Sequence, residues 1–137
     1  MIALFSRWKL KNGYPEELAA EVEALSAAVR EGEPGALIFS VSVPATHPPI
    51  GPPPDYAVCD DPSLARPAAA VELLFFEVYR DAEAFSRHLR GAAREFLERN
   101  AHFFDTPWQG HPRPEVTYLD PQSVFVREAL AEAEAVA

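Results

Sequence analysis

The stretch Val71-Glu-Leu-Leu-Phe-Phe-Glu-Val-Tyr79, followed by Arg80-Asp81-Ala-Glu-Ala-Phe85, decides the fold. Aliphatic and aromatic residues occupy both alternating faces of its first half, which predicts a central β-strand buried on two sides. Asp81 can cap a helix that runs to about Asn100. The apolar residues of that helix recur at steps of four, three and four, at Phe85, Leu89, Ala92 and Phe96. Gly91 is expected to loosen the middle of the helix.

The N-terminal half shows the same order of elements. Residues from Ile2 to Leu10 alternate like a strand, with Ile2, Leu4, Trp8 and Leu10 on one face and Ala3, Phe5, Arg7 and Lys9 on the other. Pro15 suits the first turn of a helix, which we expect to end near Gly32. The β-branched and aromatic run Ala36 to Val43 predicts a second strand.

Two such units predict an α+β, ferredoxin-like fold, a split βαβ arrangement with a four-stranded antiparallel sheet and both helices on one face. Short strands at Glu115 to Leu119 and Ser123 to Arg127 complete the pattern. Because the central strand is apolar on both faces, the sheet face away from the helices needs a cover. We expect an identical sheet from a second chain there, and therefore a homodimer that associates through its sheet faces.

The chain of 137 residues is expected to form a single domain, with two segments outside the regular elements. Residues 44–70 hold eight of the fourteen prolines and are predicted to form an insertion loop. The acidic, alanine-rich tail at residues 128–137 is expected to be a short surface helix that frays at its end.

Charge and cysteine usage exclude several classes of function. Twelve basic and twenty-one acidic residues give a formal charge of −9, which repels phosphate backbones and anionic membrane surfaces, so nucleic acid is not an expected partner. No apolar run reaches the ~18 residues of a membrane span. Cys59 is the single cysteine, and no secretion signal is recognisable at the start, so we expect a cytoplasmic location.

The third strand and its helix, with the turn Glu33-Pro34-Gly35, resemble the antibiotic biosynthesis monooxygenase domain of the dimeric α+β barrel superfamily. Members of this family have a Glu-Pro-Gly turn and a third strand whose end carries a Glu, a Tyr or Trp, and an Asp. The helix that follows carries an Ala and a His at the spacing seen here from Glu77 to His88. The resemblance covers residues 2–43 and 71 to about 104.

This resemblance implies a cofactor-independent monooxygenase that acts on a quinol or an aromatic polyketide and requires no metal, flavin or haem. The superfamily also contains haem-degrading relatives, which use an Asn on the first strand and a Trp in the second helix. Here the first strand offers Ser6 and Arg7, and His88 stands where that Trp would be. The haem-degrading reaction is therefore a weaker expectation.

Glu77 and His88 are the candidate catalytic residues. Oxygenation without a cofactor requires that the substrate be deprotonated to an electron-rich anion, and Glu77 on an apolar strand face is a plausible base. A structural pairing of Glu77 with Arg7 or Arg80 is the alternative. His88 can hydrogen-bond a phenol or simply satisfy a backbone carbonyl or Glu77. The alternation leaves open whether Glu77 faces a pocket or a partner subunit.

Arg7, Trp8, Phe85 and Trp108 are the candidate substrate-binding residues, although aromatic residues at such spacings more often form core. The histidines and aspartate at 102, 105 and 111 match no common metal-ligand spacing, so no metal site is expected. The sequence thus predicts a cofactor-free oxygenase that acts on a small aromatic substrate. The alternative is a non-catalytic homodimer of the same fold that binds a small ligand or has a structural role.

Overall fold

The computed structural model describes residues 1–44, 71–106 and 109–123. Its elements, in chain order, are β1 (Ile2–Lys9), α1 (Glu16–Gly32), β2 (Ala36–Ser42), β3 (Glu72–Tyr79), α2 (Ala82–Arg90), α3 (Ala92–Asn100), a 3-10 turn (Ala101–Phe103) and β4 (Glu115–Leu119). The predicted insertion loop lies almost wholly outside the described residues, and so do the tail, Trp108 and nearly all of the predicted strand at 123–127.

The four strands form one antiparallel sheet in the order β2-β3-β1-β4. This is the ferredoxin-like α+β arrangement, as the order of the elements predicts. β3 is central, and its residues from Glu72 to Tyr79 are buried except for Leu74, which is half-buried, and Phe76, which is 37% exposed. The prediction of a strand shielded on both faces is therefore confirmed at most of its positions.

The main core lies between α1, α3 and one face of the sheet. Helix α1 contributes the stripe predicted by its spacing, Leu18, Val22, Leu25 and Val29, all buried. The sheet contributes Leu73 and Phe75, which meet Phe96 of α3 and Phe104 after the 3-10 turn. Burying aliphatic and aromatic side chains of this size stabilises the fold by about 1.5–3 kcal/mol each.

The second helical segment differs from the prediction in one respect. A single helix to about Asn100 is expected, whereas the chain breaks at Gly91 into α2 and α3. The predicted apolar stripe does not continue across this break. Leu89 is 51% exposed, and His88 is the buried residue of α2 instead.

No helix in the described ranges is long and apolar enough to cross a membrane.

Candidate active site

A cavity of about 210 Å³ lies between the sheet and the two helical segments α2 and α3. Its walls are largely apolar, with Leu4 and Trp8 from β1, Phe75 from β3, and Phe85 and Phe96 from the helices. Exposed side chains of α2 and β4 also line it, among them Leu89 and Tyr118. The cavity is thus an apolar recess with a solvent-exposed side between α2 and β4.

Glu77, His88 and Tyr118 are the ionisable side chains that line this cavity, and of these Glu77 and His88 are buried. The strand register places Glu77 opposite Leu4 of β1 and Phe39 of β2, on the sheet face that carries the helices. Directly opposite residues in an antiparallel pair share a face, so Glu77 points toward the helices and away from the outer face of the sheet. The structure therefore resolves which way this carboxylate faces.

His88 is held between two carboxylates. Its Nδ1 lies 2.9 Å from Oε1 of Glu33, and its Nε2 lies 3.3 Å from Oε1 of Glu77. The imidazole side chain is only 4% exposed. Burial alone would lower the pKa of His88, but the hydrogen bond with Glu77 and the negative charges of Glu33 and Glu77 outweigh burial and raise the pKa above its ordinary value. A protonated ring can donate to both carboxylates at once.

Tyr79 adds a second donor to Glu77. Its hydroxyl donates to Oε1 of Glu77 at 2.8 Å, and the tyrosine is fully buried. Burial and the charge of Glu77 raise the pKa of Tyr79, so the phenol stays neutral and keeps donating. Oε1 of Glu77 thus accepts a hydrogen bond from Tyr79 and lies 3.3 Å from Nε2 of His88. The anticipated pairing of Glu77 with an arginine is not what the structure shows.

Glu33 and Tyr79 belong to this cluster, although neither was expected at the site. Tyr79 shares the strand face of Glu77 two residues away, so the period of the strand could have indicated it. Glu33 caps the C-terminal end of α1, and its backbone N–H donates to the carbonyl of Val29 at 3.0 Å. Glu33 and His88 are 55 residues apart in the sequence, so no local sequence pattern predicts their contact.

The packing of α2 against the turn after α1 brings Glu33 and His88 together. Asp81 caps α2, its side chain accepting from the N–H of Ala84 at 2.8 Å. Gly35 is buried beside Ala84, and a Cβ built on Gly35 would lie 2.5 Å from the Ala84 Cβ. The absence of a side chain at Gly35 therefore lets α2 approach the turn closely enough for His88 to meet Glu33.

Of the four predicted binding residues, the structure brings two to the cavity. Trp8 and Phe85 line it, and the indole N–H of Trp8 donates to the Ser6 hydroxyl at 3.0 Å. Trp108 lies outside the described residues. Arg7 does not line this cavity.

Arg7 lies on the opposite face of the sheet, because alternation along β1 turns it away from Ser6 and Trp8. Its guanidinium donates to both carboxylate oxygens of Glu72, at 3.0 and 3.1 Å, and lies 3.7 Å from Glu115. These contacts give Arg7 a structural role on the outer face of the sheet.

Comparison with solved structures shows the same fold in several proteins. Protein PA3566 from Pseudomonas aeruginosa is 18% identical, with a TM-score of 0.54, over 89% of this chain and 94% of that one. A proposed antibiotic biosynthesis monooxygenase from Deinococcus radiodurans is 14% identical, with a TM-score of 0.55, over 93% and 98%. A variant of SnoaB, a cofactor-independent oxygenase from Streptomyces nogalater, is 14% identical, with a TM-score of 0.50, over 92% and 97%.

These likenesses place the chain in the fold of the antibiotic biosynthesis monooxygenases, as the resemblance in sequence predicts. No protein-family model matches the chain, and no curated protein sequence matches it. Within the described ranges, no three His, Cys, Asp or Glu side chains are grouped so as to hold a metal ion.

Proposed function

We propose that this protein is a cofactor-independent monooxygenase that acts on a small quinol. The observation that carries the proposal is the placement of Glu77 and His88, with Oε1 and Nε2 3.3 Å apart, on the wall of an otherwise largely apolar cavity. An apolar pocket with a few convergent polar groups is the usual form of a small-molecule site. SnoaB, which shares the fold, is a cofactor-independent oxygenase, and this supports the same reaction class.

The volume of the cavity favours a small substrate. Sites for drug-sized ligands measure about 300–1,000 Å³, and this cavity measures about 210 Å³. A one- or two-ring quinol is therefore favoured over a larger polyketide. Trp8, Phe75 and Phe85 would contact the faces and edges of such a ring.

In the proposed reaction, Glu77 accepts the proton of a substrate hydroxyl. The resulting anion passes one electron to dioxygen, and the radical pair joins to form a carbon–oxygen bond. The peroxide takes up the proton held by Glu77. Loss of the ring proton at the same carbon then breaks the oxygen–oxygen bond and releases water. One oxygen atom of dioxygen ends in a hydroxyquinone and the other in water, so no external reductant is consumed.

Oxygen uptake by the purified, metal-stripped protein tests this proposal. Naphthohydroquinone is the two-ring probe and anthrone the three-ring comparison, each corrected for its spontaneous oxidation. We expect uptake above background with naphthohydroquinone and a loss of about 10²–10⁴-fold in Glu77→Gln, the range for removal of a general base. The control Glu83→Gln removes an exposed carboxylate of α2 and should retain the full rate. Binding of both compounds without uptake would instead identify a non-catalytic binding protein.

We further propose that the chain forms a homodimer through the outer face of the sheet, the face that carries Arg7. Phe76 on this face is 37% exposed, and Leu119 is 41% exposed. A second sheet would remove this apolar surface from water. Sedimentation equilibrium should give a dimer for the wild type and a monomer for Phe76→Glu. A monomeric wild type at micromolar concentration would contradict this assembly.

A further inference from the structure

Tyr118 stands at the open side of the cavity. It lies on β4, an edge strand of the sheet, and is 66% exposed although its side chain lines the cavity. Leu89 of α2 and Val116 of β4 are the other exposed residues of the cavity wall. Tyr118 is the largest of the three, and its ring lies edge-on to Phe85 with the centroids 6.4 Å apart. An aromatic pair thus borders the opening.

The strand register aligns Tyr118 with the proposed base. Leu4 of β1 is paired with Glu77 on one side and with Tyr118 on the other, so the three side chains form one row on the face that carries the helices. Adjacent strands lie about 4.8 Å apart, which puts the backbones of Glu77 and Tyr118 roughly 10 Å apart along this row. Glu77 is buried, whereas Tyr118 is exposed to solvent. The row therefore runs from the base to the opening.

The cavity can lengthen only at the end that carries Tyr118. Its inner wall includes Leu25 and Phe96, which belong to the main core. Core side chains resist displacement by a larger ligand, because overpacking forces them out of their preferred rotamers. Beyond Glu77 the row ends at Phe39, whose ring packs against the imidazole. A longer substrate must therefore extend toward the opening.

We propose that Tyr118 sets the number of fused rings that a substrate can have. This inference rests on the proposed oxygenase function and adds the orientation of the substrate. The hydroxylated ring lies beside Glu77 and over Leu4, and a second fused ring lies against Phe85 and Tyr118. A third ring in line with the first two meets the Tyr118 ring. Tyr118 determines specificity and takes no part in the transfer of protons or electrons.

Two linear quinols that differ by one ring test this role. Naphthohydroquinone has two fused rings, and 1,4-dihydroxyanthracene carries the same hydroxylated ring with one more ring at its far end. We expect Tyr118→Ala to raise the kcat/KM of the three-ring quinol, relative to the two-ring quinol, at least about tenfold, the lower end of what one apolar pocket contact contributes to discrimination. Partial unfolding of the variant would not produce a gain with the larger substrate.

Two further variants show whether the ring of Tyr118 is responsible. Tyr118→Phe keeps the ring and should keep the wild-type preference for the two-ring quinol. Thr117→Ala changes the neighbouring residue of β4, which is paired with Phe5 on the outer face of the sheet, and should also match the wild type. An unchanged preference in Tyr118→Ala, or the same shift in Tyr118→Phe, would overturn the proposal.

Anaerobic calorimetry with the same two quinols separates this proposal from the oxygenase function. A wild type that consumes no oxygen with either quinol, together with a Tyr118→Ala variant that gains affinity for the three-ring quinol, would contradict the oxygenase and support the role of Tyr118 in size selection. A wild type that consumes oxygen, together with a Tyr118→Ala variant unchanged in both rate and affinity preference, would support the oxygenase and refute the role of Tyr118.

Discussion

Replacing Gly35 by alanine should destabilise the protein and disturb the site together. The added Cβ would lie 2.5 Å from the Cβ of Ala84, whereas ordinary contacts lie at 3.4–4 Å. Neither atom is the end of a flexible side chain, so α2 must move away from the turn by about 1 Å. This movement would also strain the hydrogen bond from the N–H of Arg80 to the carbonyl of Gly35, now 2.8 Å long. His88, on the same helix, would be pulled away from Glu33.

The expected loss in the free energy of unfolding follows from the measured effects of overpacking in protein interiors. Insertion of a methyl group into a filled space costs about 1–3 kcal/mol, and about 2 kcal/mol in a domain of this size lowers Tm by about 8 °C. Urea unfolding and thermal melts of Gly35→Ala measure both values. Gly32→Ala is the matched control, because a Cβ at Gly32, the last residue of α1, meets nothing within 4 Å. Gly35→Ala with the stability of the wild type would refute the close packing of α2 on this turn.

Three further predictions concern the buried cluster and the core. The pKa of His88 is raised in the folded protein, so protonated His88 stabilises the fold fully below its ordinary pKa of 6.5, and this stabilisation is lost as the pH rises through the folded pKa. Urea unfolding should therefore give a free energy of unfolding that falls as the pH rises from 6.5 through the folded pKa in the wild type. The same measurement on His88→Gln should show no such fall. Tyr79→Phe removes a buried donor to Glu77 and should cost about 1–3 kcal/mol in the same assay. Phe104→Ala should cost about 3–5 kcal/mol, because this 1% exposed ring packs edge-on against Trp8. A wild-type stability that rises with pH over this range would contradict the contacts of His88 with Glu33 and Glu77. Unchanged stability in Tyr79→Phe would contradict the hydrogen bond to Glu77, and unchanged stability in Phe104→Ala would contradict the packing of Phe104.

Much of the fold could be predicted because each element carries its own local pattern. The apolar residues of α1 recur at the helical period, and those of β3 fill both faces of a strand. Both elements are present in the structure as predicted. The full break at Gly91 is harder to predict, since a glycine within a helical pattern is often tolerated. Leu89 is exposed where the helical period predicts a core position.

The candidate site was predictable only in part. The sequence indicates Glu77 and His88 as ionisable candidates, but the sheet face on which Glu77 lies follows only from the strand register. Arg7 does not line the cavity, and its position between Ser6 and Trp8 already assigns it to the other face of β1. The contact of Glu33 with His88 depends on the docking of α2 against the turn after α1, so no local pattern predicts it.

The central claim is that Glu77 ionises a quinol bound in the cavity. Anaerobic mixing of naphthohydroquinone with the protein tests it directly, because the anion absorbs at longer wavelength than the neutral quinol and no oxygen is present to consume it. The account predicts the spectrum of the anion with the wild type and of the neutral quinol with Glu77→Gln, at equal amounts of bound ligand. A bound quinol that stays neutral in the wild type, or that ionises equally in both proteins, would contradict it.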